Sequence, residues 1–176
     1  MTGGILVFGP NGAGKTTLAR ELARVLGFKH MDIEAYYFRE AEIPYTNPRT
    51  REEAVSLMLA DIAKHGPFVL SAVTGDFGEE ITAMVRAAVY LTAPKEIRMR
   101  RIDQREQARF GDRVRIGGDM YEQQLRFRAW AAARDLSKID AWAQTLACPV
   151  IHVDGTKAIA ENADAIARKI KGDFNA

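Results

Sequence analysis

The 176-residue chain has one cysteine, Cys148, which excludes an internal disulfide and leads us to expect a reducing compartment, the cytoplasm. Cys148 opens an apolar run in LACPVIHV, so it reads as a small core residue rather than a nucleophile. Long hydrophobic runs are missing: the N-terminal ILVF is far too short for a signal peptide or a membrane span. Charge of one sign is missing too. The 25 basic and 23 acidic residues sum to +2, and nucleic acid is not expected as a partner on that balance. Repeats and low-complexity segments are absent. The three histidines, His30, His65 and His152, have no cysteines or acids at metal-ligand spacing and read as structural or surface groups. What remains is 47% hydrophobic and 27% charged, the composition of a globular chain able to bury a core. At this length, residues 1–176 are expected to form a single domain.

The most informative stretch is GPNGAGKTT, residues 9–17, directly behind the apolar ILVF and ahead of LARELARVL. In the latter, Leu18, Leu22, Val25 and Leu26 recur at helical spacing, so the glycines mark a tight loop between a buried strand and an amphipathic helix. Gly9, Gly14, Lys15 and Thr16 fill the fixed positions of G-x-x-x-x-G-K-[ST]. Such a loop turns consecutive N–H groups inward as an anion nest, and the following helix adds its N-terminal dipole. Gly9, Asn11, Gly12, Ala13, Gly14, Lys15, Thr16 and Thr17 are therefore the candidate phosphate contacts. Lys15 would reach the outer phosphates, and the Thr16 hydroxyl would bind Mg²⁺.

Short apolar runs alternate with helical patterns along the rest of the chain. Strands are expected at 5–8, 28–32, 68–73, 87–93 and 149–154. Helices are expected near 15–26, 50–64, 79–85, 95–108, 119–147 (broken) and 157–170, the last with Ile159, Ala163, Ile166 and Ile170 on one face. Nearly all-apolar strands alternating with helices predict an α/β fold with a parallel sheet covered on both sides. Ligands in such sheets bind beyond the carboxyl ends of the strands, which gathers Asp32, Ser71, Thr74, Asp76 and Asp154 around the phosphate loop.

Asp32 and Glu34, just past the second strand, are candidate substrate contacts; Asp32 could also serve the magnesium shell and act as general base, or simply cap a helix. Asp76 in TGDFG is a second acceptor candidate, although Gly-Asp is also turn material. The tract 34–50, EAYYFREAEIPYTNPRT, reads either as a substrate-binding edge with aromatic walls or as a surface loop. The acceptor region is placed at about 34–65. In RMRRIDQREQARFGDRVR, Arg101, Arg105, Arg109 and Arg113 recur every four residues and would line one face of a continuous helix. Beside a phosphate loop they suit a polyanion; the alternative is a solvated face with local Glu106–Arg109 pairing. Gly111, Gly117 and Gly118 suit a mobile flap, with a lid at about 106–125.

Taken together, the chain resembles the nucleoside-monophosphate-kinase-like group of P-loop proteins, which includes adenylate, shikimate and gluconate kinases. The phosphate loop GPNGAGKT carries the resemblance most specifically. RRIDQR is similar to the lid-opening R-[IL]-x-x-R element of adenylate kinases, which implies that Arg101 packs on adenine and Arg105 contacts phosphates. VDGTK resembles the loop that passes the base, implying Gly155 and Thr156 as nucleotide contacts. Asp32 and Glu34 look like the paired acids of shikimate kinase, and Ser71 stands where many P-loop proteins have a metal-side Asp, as it does in shikimate kinase. TGDFG replaces the Asp-Gly-Phe-Pro-Arg stretch of adenylate kinases, so a nucleoside monophosphate is not implied as acceptor. The chain is also similar to bacterial proteins described as AAA-type ATPases or adenylate-kinase-like.

The resemblance implies a three-layer α/β/α fold with a five-stranded parallel sheet, order 2-3-1-4-5, and a helical lid. It implies an ATP-dependent kinase using ATP and Mg²⁺ on a small-molecule acceptor. Lys15, Asp32 and Arg105 would be catalytic, Thr16 and Asp32 would hold the metal, and Asp32, Glu34, Asp76 and Arg109 would bind the acceptor. The expected assembly is a monomer or homodimer without a membrane partner. The alternative is a nucleotide-dependent ATPase switch that binds a protein or nucleic acid.

Overall fold

A computed structural model describes residues 3–173 of the chain. Strands β1 (Gly4–Phe8), β2 (Lys29–Asp32), β3 (Phe68–Ser71), β4 (Val85–Thr92) and β5 (Val150–Asp154) form one parallel sheet in the order β2-β3-β1-β4-β5. Every residue of β1 and β3 is buried, as central strands covered on both faces require.

Side-chain alternation divides the core into two layers. On one face, Ile5, Val7, Val69, Val89 and Leu91 meet helix α1 (Lys15–Leu26) and helix α8 (Ile159–Asp173) through Leu18, Leu22, Ala163 and Ile166. On the other, Leu6, Phe8, Met31, Phe68, Leu70 and Tyr90 meet α3 (Arg51–His65), α4 (Glu79–Met84) and α7 (Ser137–Ala143). Phe8 stacks on Tyr90 at 4.8 Å between ring centroids, and the Tyr90 hydroxyl donates to Asp140, which pins α7 beneath the sheet. α3 starts at a capping box: the Thr50 side chain accepts from the Glu53 N–H, and the Glu53 carboxylate accepts from the Thr50 N–H.

Several sequence expectations change. The tract 34–50 is not wholly irregular, because Asp32 caps a short helix α2 (Ile33–Tyr37) by accepting from the Glu34 N–H. Helix α5 (Lys95–Phe110) ends before Arg113, which lies in a 3-10 turn, Gly111–Val114. Arg113 therefore leaves the face shared by Arg101, Arg105 and Arg109, and binds Asp119 instead. Glu106 does not pair with Arg109; it is 2% exposed and accepts from Arg128 on α6 (Tyr121–Ala133). The expected break within 119–147 falls between α6 and α7. Ile159 leaves the buried face of α8 and stands exposed, while Ala163, Ile166 and Ile170 keep it. Cys148 is only partly buried, packed at the edge of the second core layer. No helix among the described residues is long and apolar enough to cross a membrane.

Candidate active site

The loop after β1 is shaped by backbone that has no room for side chains. Gly12 has a φ of +80°, and a Cβ there would lie 2.4 Å from the Arg98 carbonyl oxygen of α5. At Gly9 a Cβ would meet the Leu91 carbonyl oxygen of β4. The loop is thus wedged between the ends of β4 and α5, and only glycine permits the approach. Gly14, in left-handed conformation, caps α1 without a side-chain hydrogen bond, so the first-turn N–H groups stay available to an anion.

Lys15 folds back over the loop and donates to the Pro10 carbonyl at 3.0 Å, which engages one of its three ammonium hydrogens. Desolvation lowers its pKa to about 8. Glu34 and Asp32 oppose that shift, and Arg105 and Arg134 reinforce it. The ammonium therefore sits among two carboxylates and two guanidinium groups. An incoming phosphate would restore what burial removes, so the residues fit an anion.

Arginines also hold the loop from behind. Buried Arg98 donates to the Ala93 and Asn11 carbonyls. Arg134 donates to the Asn11 side-chain oxygen at 3.1 Å and lies over the Trp130 ring. Arg101 donates to the Ala13 carbonyl at 3.1 Å and to the Gly155 carbonyl at 2.9 Å, bridging the phosphate loop and the turn after β5.

A cavity of about 1000 Å³ begins at this loop. Gly12, Ala13, Gly14, Lys15, Thr16 and Thr17 form its floor, and Arg101, Arg105 and Arg109 of α5 form one wall. Towards β5 it is lined by Gly155, Lys157, Ile159 and Asn162; towards β2 by Asp32, Glu34, Phe38, Arg39, Glu40 and Tyr45. Asp32 thus serves as helix cap and cavity wall together. Arg105 is half-exposed, and its nearest carboxylate, that of Glu106, is 4.0 Å away. Arg109 donates to the Tyr45 hydroxyl at 2.8 Å and packs over the Tyr45 ring. Arg113 donates to the Glu42 carbonyl and Gln123 to the Pro44 carbonyl, so α5, the 3-10 turn and α6 are tied to the 38–48 loop.

Other candidates stand elsewhere. Asp76 is not part of the cavity lining; it is held at the surface by Arg51 at 2.7 Å and by the Gly78 N–H. The Thr156 hydroxyl and N–H both donate to Asp154, and Thr156 is not among the lining residues. Gly9 and Asn11 shape the loop from outside the cavity. Ser71, in register with Asp32, is buried near His30 and the Met31 carbonyl. No cluster of three or more His, Cys, Asp or Glu residues suited to a metal occurs among the described residues. A metal here would rely on Thr16, Asp32, phosphate oxygens and water. The sequence did not single out Arg20, Leu91 or Asn162 as lining residues, and Ile102 and Lys157 entered only as unnamed members of RRIDQR and VDGTK.

Comparison with known proteins agrees with this geometry. Residues 5–125 match the AAA domain family. A Bacillus subtilis (strain 168) protein described as uncharacterized protein YqaC is 28% identical over 170 residues, covering 92% of this chain and 94% of that protein. Shikimate kinase from Acinetobacter baumannii, solved in complex with shikimate, superposes with a TM-score of 0.57 at 22% identity over 98% of this chain and 95% of that one. A gluconokinase from Sinorhizobium meliloti 1021 superposes with a TM-score of 0.52 at 16% identity, over 98% and 97% of the two chains. The chain belongs to the AAA domain family of P-loop NTPases and shares its fold with these two kinases.

Proposed function

We propose that this protein is an ATP-dependent kinase acting on a small molecule. The observation that carries the reading is one continuous cavity joining the phosphate loop to an acid-bearing pocket, with Arg105 and Arg109 along its wall. ATP·Mg would supply the transferable γ-phosphoryl group and a cation to offset its charge. The residues around it divide the remaining work. Loop N–H groups and the Lys15 ammonium bind phosphate oxygens, and Arg105 neutralises charge on the transferring group. Thr16 and Asp32 would hold the metal shell. The Asp32 carboxylate, which lines the cavity, would take the proton of an acceptor hydroxyl, and Glu34 would orient it. The tie between the lid segment and the 38–48 loop keeps water from the transferring group. The names of the kinases that share this fold favour a hydroxyl-bearing small molecule over a macromolecule. We place the protein in the cytoplasm as a single domain.

The test is ADP release from ATP·Mg with and without a panel of sugars, hydroxy acids, nucleosides and nucleotides, beside Lys15→Ala. A rise with one acceptor pool that the variant lacks is the expected result. A slow rate that no acceptor changes would argue for an ATPase switch instead.

A further inference from the structure

The phosphate loop is gripped from outside the cavity by a cation that has no anionic partner. Arg134 closes α6. Its guanidinium donates to the Asn11 side-chain oxygen at 3.1 Å and lies 4.7 Å from the centre of the Trp130 ring. Among the described residues it has no carboxylate partner, and burial lowers its pKa. A half-buried guanidinium without a counterion loses hydration that one hydrogen bond to a neutral oxygen returns only in part. Stability alone therefore gives no reason for its place.

The residue it holds sits in the loop's least constrained part. GPNGAG contains three glycines, and such a chain has many shapes to lose when it is ordered. Arg98 and Arg101, both on α5, hold the Asn11 and Ala13 carbonyls. Arg134 adds a tie from a different element, 123 residues along the chain. Asn11 is thus held at its backbone oxygen and its side-chain oxygen together. The anchor behind Arg134 is firm. α7 follows it directly and is seated under the sheet by buried Ile139 and by the Tyr90–Asp140 hydrogen bond. Neither Arg134 nor Asn11 lines the cavity.

Resting on the nucleotide reading of this site, we propose that Arg134 is a positioning residue for phosphate binding: through Asn11 it keeps the loop in the shape that aims its N–H groups at the phosphates, without touching the nucleotide itself. A loop ordered before its ligand arrives spares the binding step that ordering cost. Donors already aimed at the anion need no rearrangement when it enters. Arg134 and Asn11 act as one unit in this arrangement, so losing either loses the same contribution.

The experiment is a double-mutant cycle on the full chain, read by calorimetric titration with Mg·ATP well below each variant's melting temperature. Arg134→Met keeps the stem that packs on Trp130 and removes the donor; Asn11→Ala removes the acceptor and leaves the backbone bond to Arg98. Each single variant is expected to bind ATP about tenfold more weakly than wild type, the size of one charge-assisted hydrogen bond. The double variant should lie within about twofold of the weaker single one, because the two share one interaction. Losses that multiply to about a hundredfold would mean that each residue acts on the phosphates separately, and would overturn the proposal. So would an Arg134→Met that melts earlier yet binds ATP as wild type does, since its role would then be structural only. Should Arg134→Met fail to fold, the same cycle is run with Arg134→Lys. If the wild type binds no ATP, the nucleotide reading itself falls and this inference falls with it.

Discussion

Gly12→Ala should separate backbone strain from the shape of the phosphate loop, with Gly27→Ala as its control. Both glycines have left-handed φ, +80° and +70°. At Gly27, which ends α1, a Cβ would meet nothing within 4 Å. At Gly12 it would meet the Arg98 carbonyl oxygen at 2.4 Å and its carbonyl carbon at 2.9 Å. The dihedral cost is common to both, about 1–2 kcal/mol. Gly27→Ala should show that cost alone, a fall in Tm of about 2–8 °C for a chain of this size. In Gly12→Ala the neighbour is helical backbone, which cannot rotate aside. Loop and α5 must part by roughly 1 Å to restore ordinary contact, and overpacking of this kind adds about 1–3 kcal/mol. A shift of that size also spoils the nest, since misplacement by about 1 Å can cost around a hundredfold in a positioned reaction. Differential scanning calorimetry and ATP titration would read both effects. The expected outcome is ATP affinity within about twofold of wild type for Gly27→Ala and at least about tenfold weaker for Gly12→Ala. Equal stability loss and equal ATP affinity in the two variants would refute the reasoning.

Four further outcomes follow from the same geometry. Lys15 in the free protein titrates near 8, and an anion favours its charged form, so ATP affinity should hold steady below about pH 8 and weaken above it; titrations across that range should show the decline in wild type and not in Lys15→Met. The same lowered pKa means the native state binds fewer protons than the unfolded chain between about 8 and the ordinary lysine value of 10.5, so this group adds stability as pH rises through that window, which denaturant melts would show. Arg105→Ala should lower kcat/KM for ADP formation by about a hundredfold, whereas Arg115→Ala, an exposed residue paired with Asp112 outside the cavity, should change it by less than about threefold. Arg128→Met strips buried Glu106 of its main partner and should cost about 2–4 kcal/mol in urea melts; because burial raises the Glu106 carboxyl, part of that loss should return as pH falls through the carboxylate range.

The phosphate loop and a parallel sheet covered on both faces were legible in the sequence, because each rests on local pattern; the strand order followed only from the resemblance, since it depends on pairings between distant segments. Glycines beside a lysine and a hydroxyl admit few backbone shapes, and continuous apolar runs such as FVLS leave a strand no solvent face. The reading of Arg101, Arg105, Arg109 and Arg113 as one stripe failed at its last member, because periodicity does not announce where a helix stops. Gly111 stops it, and Arg113 turns away to Asp119. The alternative of a solvated face with Glu106 pairing to Arg109 fails, because α5 buries Glu106 against α6, a contact between residues more than twenty positions apart. Asp76 and Thr156 looked available and are engaged by Arg51 and Asp154.

The sequence by itself determined that a strand hands over to a helix through an anion-binding turn, since that outcome depends on neighbours in the chain. Only the tertiary structure decided which distant groups surround that turn. Arg134 reaches Asn11 across 123 residues, Arg101 ties Ala13 to Gly155, and Asn162 donates to the Asp154 carbonyl at the cavity's edge. Those relations arise from packing helices against both faces of a twisted sheet, and no local pattern encodes them.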